Sequence, residues 1–130
     1  MREDAAIRER DPLSDKVIGL AIEVHRFLGP GLLESAYEEC LCYELKQHQV
    51  NFERQVPLGI DYKGTRLECG YRMDIVVARS LVIEIKSIER LLSLHAAQLL
   101  TYMKLSRVRT GLLLNFNAIL MKDGIKRMVL

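Results

Sequence analysis

The chain has 130 residues, enough for one domain with a buried core and too few for a separate substrate domain. Its 49% hydrophobic and 28% charged residues exclude a disordered chain, and no apolar run approaches the roughly 18 residues needed to span a bilayer. A net charge of +2 is too small to announce a nucleic-acid partner unless its distribution helps.

Residues 1–13 open the chain with alternating acids and arginines and no apolar stretch, so they do not read as a secretory signal. We expect a charged, flexible segment there, followed by one soluble, cytoplasmic domain over 14–130. Ser14 is the expected N-cap of a first helix running to about Leu28, with Val17, Ala21, Val24 and Leu28 at helical spacing. Gly29-Pro30-Gly31 breaks the chain, because proline cannot continue a helix and glycine permits positive φ. A second helix follows from about Leu32 to Gln47, with Leu33, Tyr37, Cys40, Leu41 and Leu45 as its apolar stripe. The period then changes to two: Val56, Leu58, Ile60 and Tyr62 alternate up to a Lys63-Gly64 turn. Strands over about Arg66–Val77 and Leu81–Lys86 are joined by Ala78-Arg79-Ser80. A third helix spans about Glu89 to Leu105. Thr110–Asn115 reads as a central strand, since Leu112 to Leu114 is wholly apolar. After a Lys122-Asp123-Gly124 turn comes a last strand, Ile125 to Leu130. The order ααβββαββ predicts an α/β fold, a mixed sheet flanked by helices.

Three cysteines, Cys40, Cys42 and Cys69, lack the paired spacing of a zinc site and read as reduced, partly buried thiols. The basic groups Lys104, Arg107, Arg109 and Lys122, Lys126, Arg127 read as solvated surface.

The chemistry concentrates between Arg72 and Lys86. A turn centred on Arg79 sets Asp74 opposite Glu84, Val76 opposite Val82 and Arg72 opposite Lys86. Alternation then gives one apolar face, with Met73, Ile75, Val77, Leu81, Ile83 and Ile85, and one face carrying Arg72, Asp74, Glu84 and Lys86. Two carboxylates about 5 Å apart across a hairpin repel unless something neutralises them. A divalent cation held by both acids does so, and hard oxygen donors suit Mg2+ or Mn2+ better than zinc. Lys86 points the same way and is suited to orient a water or to meet developing negative charge. The competing reading is a solvent-facing sheet on which Lys86 and Arg72 simply pair with the acids.

Gly70-Tyr71-Arg72-Met73-Asp74 followed by Glu84-Ile85-Lys86 resembles the signature of the PD-(D/E)XK nuclease superfamily, with Met73 where the nominal pattern has proline. Gln98-Leu99-Leu100-Thr101-Tyr102 resembles the QxxxY helix motif of the branch that includes bacterial recombination exonucleases. Gly31-Leu32-Leu33-Glu34-Ser35-Ala36-Tyr37 is similar to the motif that names the GxxExxY family. The resemblance runs from about Ser14 to the end. It implies a nuclease fold in which Asp74, Glu84 and the Ile85 carbonyl bind metal, Lys86 is the catalytic lysine and Glu34 completes the site.

The accessory residues carry two readings each. Glu34, if Gly31 caps the second helix, occupies N3 and serves either the metal or the free helix amides. Tyr37 lies one turn further and either meets Glu34 or a phosphate, or belongs to the core. His95, Gln98 and Tyr102 share one helical face. Gln98 would orient Lys86 or the phosphate and Tyr102 contact a phosphate or base, against the reading of a polar rim. His25 approaches the metal or is structural. The function expected is metal-dependent hydrolysis of nucleic-acid phosphodiesters, DNA before RNA, with internal and end-directed cutting both compatible. The alternative is a non-catalytic module that binds nucleic acid or protein on the same scaffold. Small size suggests a homodimer.

Overall fold

The computed structural model describes residues 11–130, so positions 1–10 of the expected charged segment lie outside the described residues. Helix α1 spans Pro12–Leu28 and is capped by Asp11, whose carboxylate accepts the Leu13 N–H at 3.2 Å. Ser14, the expected cap, lies inside the first turn instead, fully buried, with its hydroxyl donating to the Asp11 carbonyl. Asp11 takes the role because Pro12 needs no N–H partner at N1 and a carboxylate complements the positive end of the helix. Val17, Leu20, Ala21 and Val24 form the buried stripe. Gly29, at φ +74, closes the helix in a conformation that glycine adopts without strain.

Helix α2 spans Glu34–Gln47 and starts two residues later than expected, with Leu33 at its N-cap. Leu33 is therefore not part of the buried stripe and stands 77% exposed, whereas Cys42, on the helix face that turns inward, is buried. Strands β1 (Phe52–Tyr62), β2 (Thr65–Val77) and β3 (Leu81–Lys86) form an antiparallel meander. Helix α3, Ser93–Ser106, begins four residues later than the sequence suggests. The preceding loop is tied to the sheet by Asn115, whose amide bonds both the N–H and the carbonyl of Ile88, and so cannot enter the helix. Helix α3 carries the chain over to β4 (Thr110–Asn115), parallel to β3, as a parallel pair requires. A 3-10 turn, Met121–Gly124, leads into β5 (Ile125–Val129), antiparallel to β4.

The five-stranded sheet has the order β1-β2-β3-β4-β5, a mixed α/β architecture with helices on both faces. On one face α1 and α2 pack Val17, Leu41 and Leu45 against Ile75, Ile83, Ile85 and Leu112. On the other, α3 packs Ala96, Leu99 and Met103 against Val76, Val82 and Leu113. Strands β3 and β4 are covered on both sides, which is why their sequences are almost continuously apolar. No helix among the described residues is long and apolar enough to cross a membrane.

Two irregularities in β1 and β2 matter for the site. Arg54 pairs with Ile75 and Val56 with Met73, while Gln55 between them adopts φ +50. Along the same stretch Met73 packs in the α3 core with Val76 instead of joining Ile75 as simple alternation predicts. A register shift follows between Leu58 and Ile60, near Gly70 at φ +79, a value that strains any residue with a Cβ. Beyond it the hairpin runs out exposed to its Lys63-Gly64 turn, where both residues have positive φ as a two-residue hairpin demands.

Candidate active site

The expected register holds where β2 and β3 leave their turn: Ile75 pairs with Ile83, Val76 with Val82 and Val77 with Leu81. At Asp74 and Glu84 side chains take over from the backbone ladder. Glu84 Oε2 accepts the Asp74 N–H at 2.9 Å, and Asp74 Oδ2 accepts the Ile85 N–H at 2.8 Å. Each carboxylate thus fastens the opposite strand, and the two acids are locked beside each other by a reciprocal clamp. Glu84 is 5% exposed and Asp74 half-buried, so this is not the solvent-facing sheet of the competing reading. Among the described residues neither acid has an ion-pair partner. Arg72 turns instead to the Gln55 carbonyl at 3.3 Å.

The electrostatics follow from burial without neutralisation. Loss of water raises the Glu84 carboxyl to about 8, with the Asp74 charge pushing the same way against the Asp74 N–H bond and Lys86. Asp74 is raised as well, first by burial. The Ile85 N–H offsets part of this, and Glu38, Glu34 and Lys86 act at longer range. Glu34 acts on both acids, so the start of α2 overlooks the pair. It occupies N1 rather than N3, because Leu33 rather than Gly31 caps the helix.

The turn before α2 is held by Tyr37. Its hydroxyl donates to the Gly29 carbonyl at 2.6 Å and accepts the Leu32 N–H at 3.1 Å, while its fully buried ring stacks on Phe116 at 4.6 Å. Tyr37 belongs to the core and anchors the glycine turn, without a bond to Glu34. The same turn meets the chemistry strand through Ser87, whose hydroxyl donates to the Leu32 carbonyl. Three positions 31, 34 and 37 of one motif thereby have separate tasks: a break, a carboxylate at the helix start, and a fastener.

From the α3 side, Gln98 Nε2 donates to the Tyr102 hydroxyl at 3.3 Å, and Tyr102 is 8% exposed. Burial, then the charges of Glu84, Tyr71 and Asp74, raise the Tyr102 hydroxyl, which puts its ring close to the acid pair. His95 does not join this face of the site. Its Nδ1 accepts the Leu92 N–H at 2.9 Å and caps α3. His25 bonds the Ala118 carbonyl at 2.7 Å, beside a depression of about 600 Å3 that neither acid lines.

Sequence reasoning passed over several residues that build this region. Glu38 is 7% exposed and bonded by Arg54 at 2.9 Å and Gln55 at 3.0 Å, so α2 is pinned to β1. Its signal was the spacing of four from Glu34, which places both acids on one helix face. Asn115 pairs with Lys86 across β3 and β4 and, with the Phe116 N–H on the Lys86 carbonyl, holds the chain leaving Lys86. A polar residue closing an apolar strand was the sign available there.

One buried and one half-buried carboxylate, neither ion-paired among the described residues, and a neighbouring backbone carbonyl are hard oxygen donors and fit a small divalent cation. Among the described residues no three His, Cys, Asp or Glu side chains converge closely enough to form a preassembled cation cluster. The profile of the family described as the PD-(D/E)XK nuclease superfamily matches residues 11–128. No curated protein and no solved structure matches the chain significantly.

Proposed function

The chain belongs to the PD-(D/E)XK nuclease superfamily, and from that premise we propose that it is a nuclease hydrolysing nucleic-acid phosphodiesters, DNA in preference to RNA, with Mg2+ or Mn2+. The observation that carries the reading is the clamped pair of half-buried Asp74 and buried Glu84, neither ion-paired among the described residues, with Lys86 two residues beyond Glu84 on the same strand. The spacing of Gly31, Glu34 and Tyr37 supports placing it in the GxxExxY branch.

Asp74, Glu84 and the Ile85 carbonyl would hold the cation, with Glu34 completing or supporting the set. Bound there, the metal supplies Lewis acidity to the phosphate and acidifies water at neutral pH. Lys86 orients the nucleophile or meets the negative charge that builds on the phosphate. Gln98 and Tyr102, linked to each other, line the site from α3 and position the phosphate-bearing strand. A non-catalytic binding module is the second reading, and it draws on the lack of a preassembled three-residue cluster among the described residues.

Labelled single- and double-stranded DNA and RNA, incubated with Mg2+, Mn2+ or EDTA, separate the two. Nuclease function requires metal-dependent cutting that disappears in Glu84→Ala and falls steeply in Lys86→Ala. Binding without turnover by folded protein under every metal condition would establish the module instead.

A further inference from the structure

Tyr71 is a half-exposed aromatic side chain that the acid–lysine chemistry does not use. It lies three residues before Asp74 on β2, opposite Leu58, and 47% of its surface is open. Its ring sits 6.2 Å from that of Tyr102, tilted by 59°. The separation falls within the range of favourable aromatic pairs, with the rings tilted rather than stacked. Tyr102 is itself fixed by burial and by Gln98, so Tyr71 rests on a rigid partner and does not need its exposed surface for packing. Just beyond Tyr71, Gly70 at φ +79 and the register shift bend the hairpin arm, so the strand is not simply continuing a covered sheet there.

We infer that Tyr71, backed by Tyr102, is a stacking platform for one unpaired nucleobase next to the scissile phosphate. The inference rests on the nucleic-acid reading above and narrows its substrate to strands that offer an unstacked base. Bases inside a duplex present no free ring face, whereas a single strand, a frayed end or an overhang does. Aromatic stacking accepts any base, so the platform selects strandedness without selecting sequence. Tyr71 lies three residues before Asp74 and packs on Tyr102, whose hydroxyl feels the charges of Glu84 and Asp74, so a nucleotide stacked there would carry its backbone toward the acid pair.

The test measures binding of the full chain, with Ca2+ replacing Mg2+, to a fluorescein-labelled single-stranded oligothymidine and to a blunt two-strand duplex with GC-rich ends. Tyr71→Leu keeps apolar cover over Tyr102 but removes the planar ring, and Tyr71→Phe keeps the ring. Stacking predicts that Tyr71→Leu weakens single-strand binding about tenfold and leaves duplex binding within twofold, while Tyr71→Phe matches wild type. Equal losses on both strands, or no loss on either, would overturn the platform while leaving the nuclease reading in place. Wild-type protein that binds none of the oligonucleotides, in DNA or RNA form, overturns the nucleic-acid reading and the platform with it.

Discussion

Replacing Glu84 with Gln should stabilise the metal-free fold at neutral pH while removing metal response. Glu84 is 5% exposed, its carboxyl is raised from the ordinary 4.5 to about 8, and the main cause is burial, followed by the charge of Asp74. The fold accepts the neutral form, so the stability this group contributes is whole below 4.5 and is lost as pH rises toward 8. At pH 7.5 the shift costs on the order of 4 kcal/mol, and at pH 5 about 1 kcal/mol or less. Gln keeps the volume and an oxygen for the Asp74 N–H at 2.9 Å, and it never ionises. The variant should therefore exceed wild type by on the order of 3 kcal/mol at pH 7.5, a rise of roughly 10 °C in Tm, and lie close to it at pH 5. Thermal unfolding followed by circular dichroism in EDTA at the two pH values reads this directly. Mg2+ added afterwards should raise the wild-type Tm and leave the variant unmoved. A Glu84→Gln protein no more stable than wild type at pH 7.5, or one whose advantage is the same at pH 5, would refute the reasoning.

Tyr37→Phe removes the hydroxyl that joins the Gly29 carbonyl to the Leu32 N–H, and should cost about 1–3 kcal/mol by chemical denaturation. Because that turn delivers Glu34, cleavage by the folded variant should fall too, and unchanged cleavage would detach the turn from the site. Asn115→Ala removes its two bonds to Ile88, leaving the carbonyl only the Asn117 amide, so it should lower stability by about 2 kcal/mol and speed hydrogen exchange at Ile88 and Asn117 above all. Cys42 is buried and its thiol is pushed up to about 12, first by burial, whereas Cys69 is exposed. In native protein an aromatic disulfide reagent should label Cys69 rapidly and Cys42 only after unfolding, so loss of the fast phase in Cys69→Ser checks the assignment.

Periodicity and residue type were sufficient for the element order, the mixed sheet and the near-turn register of β2 and β3, because these depend on local spacing and turn geometry. The apolar run Leu112–Leu114 likewise declared β4 a central strand, whereas cover over both faces of β3 became visible only in the fold. The helix starts were less legible: Asp11 with Pro12 outcompeted Ser14 at α1, and the Asn115 bonds to Ile88 delayed α3. Those contests turn on partners that lie next door in one case and 27 residues away in the other.

Asp74, Glu84 and Lys86 could be singled out by their types and alternation, but their environment could not. Alternation assigns Met73 to the face of Ile75, yet the fold packs it in the α3 core, in a stretch where Gln55 of the paired strand adopts φ +50 and is fastened to Glu38 on α2. Burial raises the two carboxyls, and burial comes from α2 and α3 closing over the sheet, a property no strand carries in its own sequence. The same packing separates Tyr37 and His95, which fasten backbone, from Tyr102, which faces the acids. Residue chemistry is inherited from the sequence, whereas desolvation and the choice of hydrogen-bond partner arise when distant segments meet.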